Sequence, residues 1–207
     1  MAVDLKALLA PATSAVLVME CQEGIVGESA ALGALGEAVR RHGTIGHIGR
    51  VLDAARAAGV PIFYLTVARR ADSAGTTANC LLLALGRKGE PLLPGSPRQQ
   101  VVAALAPRDG DWLLTRYHGV TPFHAGELDQ LLRNLGVRTV VATGVSVNIG
   151  ITGLTIEAVN AGYQVVIPRQ AVTGTPDDYV DAVIANTLRL LATIASVDDV
   201  IAAWQRP

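Results

Sequence analysis

Short runs of apolar, mostly β-branched residues recur along the whole chain, and segments of helical length separate them. Five runs have the length of a buried strand and a sixth is weaker: 15–19, 61–67, 112–115, 139–143, 163–168 and the weaker 193–197. The runs do not alternate between apolar and polar residues, which is typical of parallel strands covered on both faces. This pattern constrains the chain to a sheet with helices on both sides.

The segments between the strands carry apolar residues at helical spacing, and glycine often ends them, as it commonly ends helices. Strand, helix, glycine and strand in repeated order predict right-handed βαβ units. We therefore predict a single domain over residues 1–207. Its expected fold is α/β, a three-layer α/β/α, doubly wound, Rossmann-like arrangement with a six-stranded, mainly parallel sheet. The predicted helices are 45–58, 123–135, 148–161, 177–192 and 198–205.

Residues 69–100 break this pattern because glycine, proline and polar residues are dense there. One short helix is predicted at 79–86. Loops of this length are commonly functional or mobile, and in open α/β sheets they border the ligand crevice. Arg69 and Arg70 begin the segment. They are either solvated surface charges or a source of positive potential that favours an anionic substrate.

Composition and charge exclude several classes of partner. Half of the residues are hydrophobic and the formal net charge is -1, so no global field attracts nucleic acid or an anionic membrane. We expect no membrane span and no secretory leader. Two cysteines, Cys21 and Cys80, are too few for a disulfide framework. We expect a cytoplasmic protein with reduced thiols, a small-molecule substrate and no nucleic-acid or membrane partner.

Polar residues cluster where the predicted strands end, which is where parallel sheets bind ligands. The sequence AVLVMECQEG places Glu20 and Gln22 at the first such end, and WLLTRYHGVTPFHAGELDQLL places Arg116 at the third. A third segment, VVATGVSVNIGITGLTIEAVNAGYQVVIP, runs from a buried strand through a Gly-Val turn into a helix that contains Gly150.

These three segments resemble the isochorismatase-like (cysteine hydrolase) family, and the resemblance spans about residues 13–200. Glu20 and Gln22 match the family's Asp-x-Gln, Arg116 its lysine, Phe123 the aromatic residue that starts a helix, and Gly150 its catalytic cysteine. The last strand of the family often ends in Asp-Ala, which here is Gln170-Ala171. The resemblance implies the isochorismatase-like hydrolase fold and identifies Glu20, Arg116 and Gly150 as the catalytic positions.

This chain departs from the family pattern at the residues that carry the family's catalytic chemistry. In the family a cysteine thiolate attacks a carbonyl group, the aspartate serves as base, the lysine stabilises charge, and N–H groups at the turn form an oxyanion hole. Glycine offers no nucleophile, so a thioester at Gly150 is excluded. True isochorismatases are similar proteins that dispense with the cysteine, but they keep the aspartate and usually the lysine.

The remaining polar groups and thiols have other expected roles, and Glu20 has two possible ones. Glu20 is a general acid/base, or it forms an ion pair with Arg116 that satisfies two buried charges. Arg116 stays charged and suits a bidentate grip on a carboxylate. Because side chains alternate along a strand, Cys21 should face the helix layer opposite Glu20 and remain buried, and Cys80 is expected to be unreactive.

Substrate contacts are expected from the turn at 144–148, whose N–H groups lie at a helix start. Asn148 either contacts the ligand or caps this helix. His118 and His124 act either as acid/base groups or as residues satisfied by the backbone. Similar nicotinamidase-like proteins carry an Asp-x-His metal site after the second strand, but LTVARRADSAG has no histidine, so we expect no metal or other cofactor. The expected substrate-binding residues are Gln22, His118, Phe123, Val145, Ser146, Asn148 and Ile149.

Three functions remain open from the sequence. The first is a hydrolase or lyase without a covalent intermediate, in which Glu20 is the general acid/base and Arg116 holds a carboxylate. The second is a conventional amide hydrolase, against which Gly150 argues. The third is a non-catalytic binding or scaffold protein. We favour the first because Glu20 and Arg116 are charged and complementary, and we expect a homo-oligomer because relatives are commonly dimers or larger.

Overall fold

A computed structural model describes residues 3–28, 30, 33–124 and 126–205. In this part of the chain one sheet has the strand order β3-β2-β1-β4-β5-β7, and β6 pairs with β4. All of these pairs are parallel. The predicted parallel α/β fold is confirmed, and the two-residue β6 is an addition to the six predicted strands. The strands are β1 (Ser14–Met19), β2 (Ile62–Val67), β3 (Trp112–Arg116), β4 (Thr139–Val145), β5 (Gln164–Pro168), β6 (Val172–Thr173) and β7 (Thr193–Ala195).

Helices connect the strands and form the two outer layers. A π-helical turn, Val147–Ile151, precedes α7, and a second, Ile184–Leu188, joins α8 to α9. The helices are α1 (Leu5–Leu8), α2 (Glu23–Val26), α3 (Gly33–Arg41), α4 (Thr44–Ala58), α5 (Leu81–Lys88), α6 (Leu128–Asn134), α7 (Thr152–Asn160), α8 (Asp177–Val183), α9 (Arg189–Leu191) and α10 (Val197–Trp204).

The sheet separates two hydrophobic cores because successive side chains of a strand point to opposite faces. In β1, Val16 and Val18 contact the core that includes residues of α4 and α10. Leu17 and Met19 contact the other core, which includes residues of α6, α7 and α8. Each fully buried aliphatic side chain stabilises the fold by about 1.5–3 kcal/mol. Burial on both faces explains why the strand sequences do not alternate.

The helix predicted at 123–135 begins later than expected, at Leu128, and its residue 125 lies outside the described residues. Glu157 of α7 accepts hydrogen bonds from the Thr121 hydroxyl at 2.9 Å and from the Phe123 N–H at 3.3 Å. These bonds tie the chain before α6 to a different helix. The prediction was wrong at 123, 124, 126 and 127, where a tertiary contact overrides the local pattern.

The strand order reverses between β1 and β4, whose carboxyl ends meet where Met19 pairs with Gly144. Gly144 has a φ of 105°, and a Cβ atom on it would overlap the carbonyl oxygen of Met19. Glycine is therefore required for this close approach of the two strands. Ligands of doubly wound sheets commonly bind at such a reversal. Here Glu20 follows β1 and Val145 ends β4.

Candidate functional site

Glu20 and Arg116 form an ion pair across the carboxyl edge of the sheet. Glu20 follows β1 and Arg116 ends β3, so the pair spans β2, which lies between them. Their side chains are 19% and 14% exposed, so both charges are largely removed from water. Removing one partner of a buried pair typically costs about 3–5 kcal/mol. The pair thus satisfies two charges and also places a carboxylate beside a fixed cation.

The backbone turns sharply at Glu20, which has a φ of 52°. Few non-glycine residues occupy this left-handed region, and those that do often lie at functional sites. The Glu20 N–H still donates a hydrogen bond to the carbonyl oxygen of Leu65 at 3.0 Å. The turn therefore ends β1 abruptly while its last residue remains attached to β2.

Arg116 keeps hydrogen-bonding capacity beyond the ion pair. Its Nη2 donates to Glu20 Oε1, whereas Nε and Nη1 are buried and have no partner among the described residues. An unsatisfied buried donor costs about 1–3 kcal/mol. Such a donor usually marks a place for water or a ligand oxygen. Arg116 can therefore accept a further ligand while it remains paired with Glu20.

Gly150 lies in the π-helical turn that follows β4, and the Val145–Ser146 peptide bond before this turn is cis. A Cβ atom on Gly150 would lie 2.8 Å from the Val145 carbonyl oxygen and 3.3 Å from Met19 Cε. Both distances are shorter than a Cβ atom usually keeps from a neighbouring atom. A cysteine at this position would therefore require the Val145 carbonyl and the Met19 side chain to shift.

The other predicted residues of this turn surround Gly150. Val145 is buried, Ser146 and Asn148 are half-buried, and Ile149 is 37% exposed. Ser146 occupies the position before the first turn and makes no capping hydrogen bond with its side chain. Asn148 is thus inside the turn, and the interpretation that it caps the helix is wrong. The first N–H groups of a helix lack acceptors within it, so this turn offers backbone donors at the carboxyl end of β4.

Gln22 is fully buried, and its side-chain amide contacts backbone groups. Nε2 donates to the carbonyl oxygens of Val67 and Gln99, each at 2.9 Å, and Oε1 accepts from the Val67 N–H at 2.8 Å. These bonds join the end of β2 to the segment around Gln99. The structure gives Gln22 a positioning role, and the expected contact with substrate stays a prediction.

Neither cysteine is placed to replace the missing nucleophile. Cys21 is 2% exposed and lies in the core that includes α4 and α10, so its predicted burial is confirmed. Burial, together with the charge of Glu20, raises the pKa of its thiol to about 12. The reactive thiolate is therefore scarce at neutral pH. Cys80 is exposed and directly precedes α5.

The chain after β3 carries His118 and His124, which line a cavity of about 390 Å³ together with Arg116. Both histidines are exposed. Phe123 is half-buried, and its ring centroid lies 6.0 Å from that of Tyr163. Glu157, which holds this segment through Thr121 and Phe123, was not predicted. The signal that could have found it is a lone carboxylate in an otherwise uncharged helix.

Within the described ranges, 3–28, 30, 33–124 and 126–205, no group of three or more His, Cys, Asp or Glu side chains is placed to hold a metal ion. Over the same ranges, no helix combines the length and the apolar character that crossing a membrane requires.

Comparison with known proteins places nearly the whole chain in one family. The family model described as the isochorismatase domain matches residues 14–199. Ureidoacrylate amidohydrolase RutB from Rhizobium rhizogenes is 29% identical in an alignment that covers 92% of this chain and 83% of that protein. N-carbamoylsarcosine amidase from an Arthrobacter species is 27% identical over 129 residues, 62% of this chain and 48% of that protein.

Solved structures show the same fold. An isochorismatase family protein from Desulfovibrio vulgaris superposes with a TM-score of 0.80 at 26% identity, over 92% of this chain and 98% of that one. A cysteine hydrolase from Pseudomonas syringae superposes with a TM-score of 0.84 at 22% identity, over 95% of this chain and 94% of that one.

Proposed function

Because the chain belongs to the isochorismatase family, we propose that it is a hydrolase that acts on a small, carboxylate-bearing molecule by acid/base chemistry without a cysteine nucleophile. The observation that carries this proposal is the Glu20–Arg116 ion pair at the carboxyl edge of the sheet, in a chain with glycine at the position that matches the family's cysteine. The names of two relatives, an amidohydrolase and an amidase, support hydrolysis of an amide-type bond.

Glu20 supplies the proton transfers in this proposal. Its carboxylate accepts a proton from water while the water oxygen bonds to the carbonyl carbon of the substrate. The bond from that carbon to the leaving atom then breaks, and Glu20 returns the proton to the leaving atom. N–H groups of the turn at 146–148 stabilise the negative charge that develops on the carbonyl oxygen.

Arg116 supplies recognition. A guanidinium is planar, stays charged at any working pH and binds carboxylates well. Its Nε and Nη1 have no partner among the described residues, so a substrate carboxylate finds donors there. The substrate's carboxylate then shares the guanidinium with Glu20, which stays bound to Nη2 through Oε1 and moves the proton through its other carboxylate oxygen.

A non-catalytic binding protein is the alternative, and one observation favours it. Glu20 and Arg116 already form an ion pair, and Gly150 provides no nucleophile. A site of this kind binds a small anion through Arg116 without converting it.

The test compares wild type with Glu20→Gln in a turnover screen of small amides, vinyl ethers and cyclic carboxylates. Glu37→Gln is the matched control because Glu37 is an exposed residue of α3. General acid–base catalysis contributes about 10²–10⁴-fold, so we expect Glu20→Gln to lower kcat by that factor. Glu37→Gln should keep the wild-type rate.

Two results decide against the proposal. Turnover that survives Glu20→Gln would remove Glu20 from the mechanism. A wild-type protein that converts no compound of the screen, but whose melting temperature rises with one of them, would favour the binding protein.

A further inference from the structure

A leucine-lined cavity of about 410 Å³ lies between the carboxyl end of β2 and the segment 69–100. Its walls are mainly apolar and include Ile25 and Val67 beside the leucines Leu82, Leu83, Leu85 and Leu92. Small-molecule sites commonly have volumes of about 300–1,000 Å³ and apolar walls with a few polar groups. The cavity therefore has the size and lining of a ligand site.

Helix α5 forms one wall of this cavity, and its apolar side chains remain partly accessible to solvent. None of its residues is buried, although four of its eight residues are leucines. Leu82 and Leu85 line the cavity and are 37% and 51% exposed. Apolar surface gains about 25 cal/mol per Å² when it leaves water, so an apolar occupant would stabilise this helix on the protein.

Arg69 gives the cavity its charge. Its Nη1 donates to the carbonyl oxygen of Gly86 and its Nη2 to that of Gly89 at 2.9 Å, which anchors the end of α5. Carbonyl oxygens carry no net charge, so these bonds leave the guanidinium uncompensated. Its Nε is buried and has no partner within the described ranges. A donor and an unneutralised cation thus border an apolar cavity.

The charges of the other charged residues in the cavity wall cancel each other. Arg98 and Glu90 form an ion pair at 3.5 Å, and both line the cavity. The charges of the described lining residues therefore leave one excess positive charge, that of Arg69. A cation would meet like charge here, a neutral apolar molecule would leave Nε unsatisfied, and a polyanion would not match the leucines.

We infer that this cavity binds an amphiphilic monoanion, with its apolar body among the leucines of α5 and its carboxylate beside Arg69. The inference goes beyond the proposed function, because the site uses a different cation from Arg116 and requires no turnover.

Isothermal titration calorimetry on the full chain tests this site with sodium octanoate, octylammonium chloride and 1-octanol as probes. Octanoate should bind in a one-to-one complex, at least about tenfold more tightly than octylammonium, which corresponds to about 1.4 kcal/mol. Equal affinity for the two ions, or no measurable binding of octanoate, would overturn the inference.

Two leucines of α5 provide matched variants. Leu82 lines the cavity, whereas Leu81, its neighbour in the first helical turn, does not and is 75% exposed. An aspartate has a similar effect on the helix dipole at either position. Leu82→Asp should weaken octanoate binding by about tenfold and Leu81→Asp by less than about twofold. Equal losses would mean that the helix as a whole, and not the cavity, binds the probe.

Glu90→Gln tests the charge without disturbing the core, because the Glu90 side chain is 71% exposed. Its removal leaves Arg98 without this carboxylate and makes the wall more positive. Octanoate should bind about two- to threefold more tightly to this variant, and 1-octanol should bind as to wild type, because only the anion responds to charge. Unchanged octanoate affinity would contradict the electrostatic part of the inference. A blank in the turnover screen leaves all of these binding results interpretable.

Discussion

Gly150 and Gly46 are both glycines in helical turns, but their surroundings differ. A Cβ atom on Gly46 in α4 would meet nothing within 4 Å, whereas one on Gly150 would lie 2.8 Å from the Val145 carbonyl oxygen. Gly150, which replaces the family's cysteine, is therefore packed more closely by its neighbours than Gly46 is. A restored side chain has to displace the carbonyl that ends β4.

This difference predicts opposite effects of one substitution. Gly150→Ala should lower the free energy of unfolding by about 1–3 kcal/mol, the usual range for overpacking. Gly46→Ala should raise it by about 0.4–1 kcal/mol, because alanine reduces the entropy of the unfolded chain. Urea unfolding of both variants measures these changes. Equal stability of the two variants would show that the position of Gly150 is open.

Alternation along the first predicted strand, together with the usual burial of free cysteine, predicted that Cys21 is buried, and its low exposure confirms this. The sequence also supplied Glu20 and Arg116, because they match positions of a recognisable pattern. The left-handed backbone of Glu20 was not predictable, since glutamate has no preference for that region. Contacts with the rest of the fold stabilise that backbone conformation, and a local sequence pattern carries no information about those contacts.

At the level of elements, the segment between β3 and α6 depends on one side chain. Glu157 holds it through the Thr121 hydroxyl and the Phe123 N–H, and the segment carries both His118 and His124. The segment has no regular structure over its described residues before α6. Its position therefore rests on contacts such as these.

Glu157→Ala should loosen this segment. We expect amide hydrogen exchange at 121–124 to become about tenfold faster, because about 1.4 kcal/mol of local stability is lost with the two bonds. Glu37→Ala is the control, since Glu37 lies on an exposed helical surface. Exchange is read by mass spectrometry of peptides from both regions. Unchanged exchange at 121–124 in Glu157→Ala would show that other contacts hold the segment.

Strands were easier to predict than helices. Continuous apolar runs identified the six principal strands, whereas α1, α2 and α3 were missed. α1 and α2 have only four residues each, and α3 contains glycines at 33 and 36, which weaken a helical pattern. The late start of α6 has a different cause, because the bonds from Glu157 come from another part of the chain.

At the scale of the whole molecule, the strand order decides what the site contains. The order β3-β2-β1 brings Glu20 and Arg116, which are 96 residues apart in the chain, into one ion pair. Alternating strands and helices predicted the fold class, and the family pattern supplied the residues. The leucine-lined cavity was not predictable, because its walls come from separate segments. The expected homo-oligomer stays a prediction, with Trp112 and Leu113 exposed on the edge strand β3.

The central claim is that hydrolysis proceeds here without a thiol nucleophile. The double variant Cys21→Ala/Cys80→Ala removes both thiols of the chain. Its kcat on a compound that the wild type converts is the most direct test, with a thermal melt to confirm folding. Acid/base chemistry through Glu20 predicts a kcat within about twofold of wild type, since the expected thiol contribution is nil. A folded double variant whose kcat falls to the level of Glu20→Gln would contradict the claim.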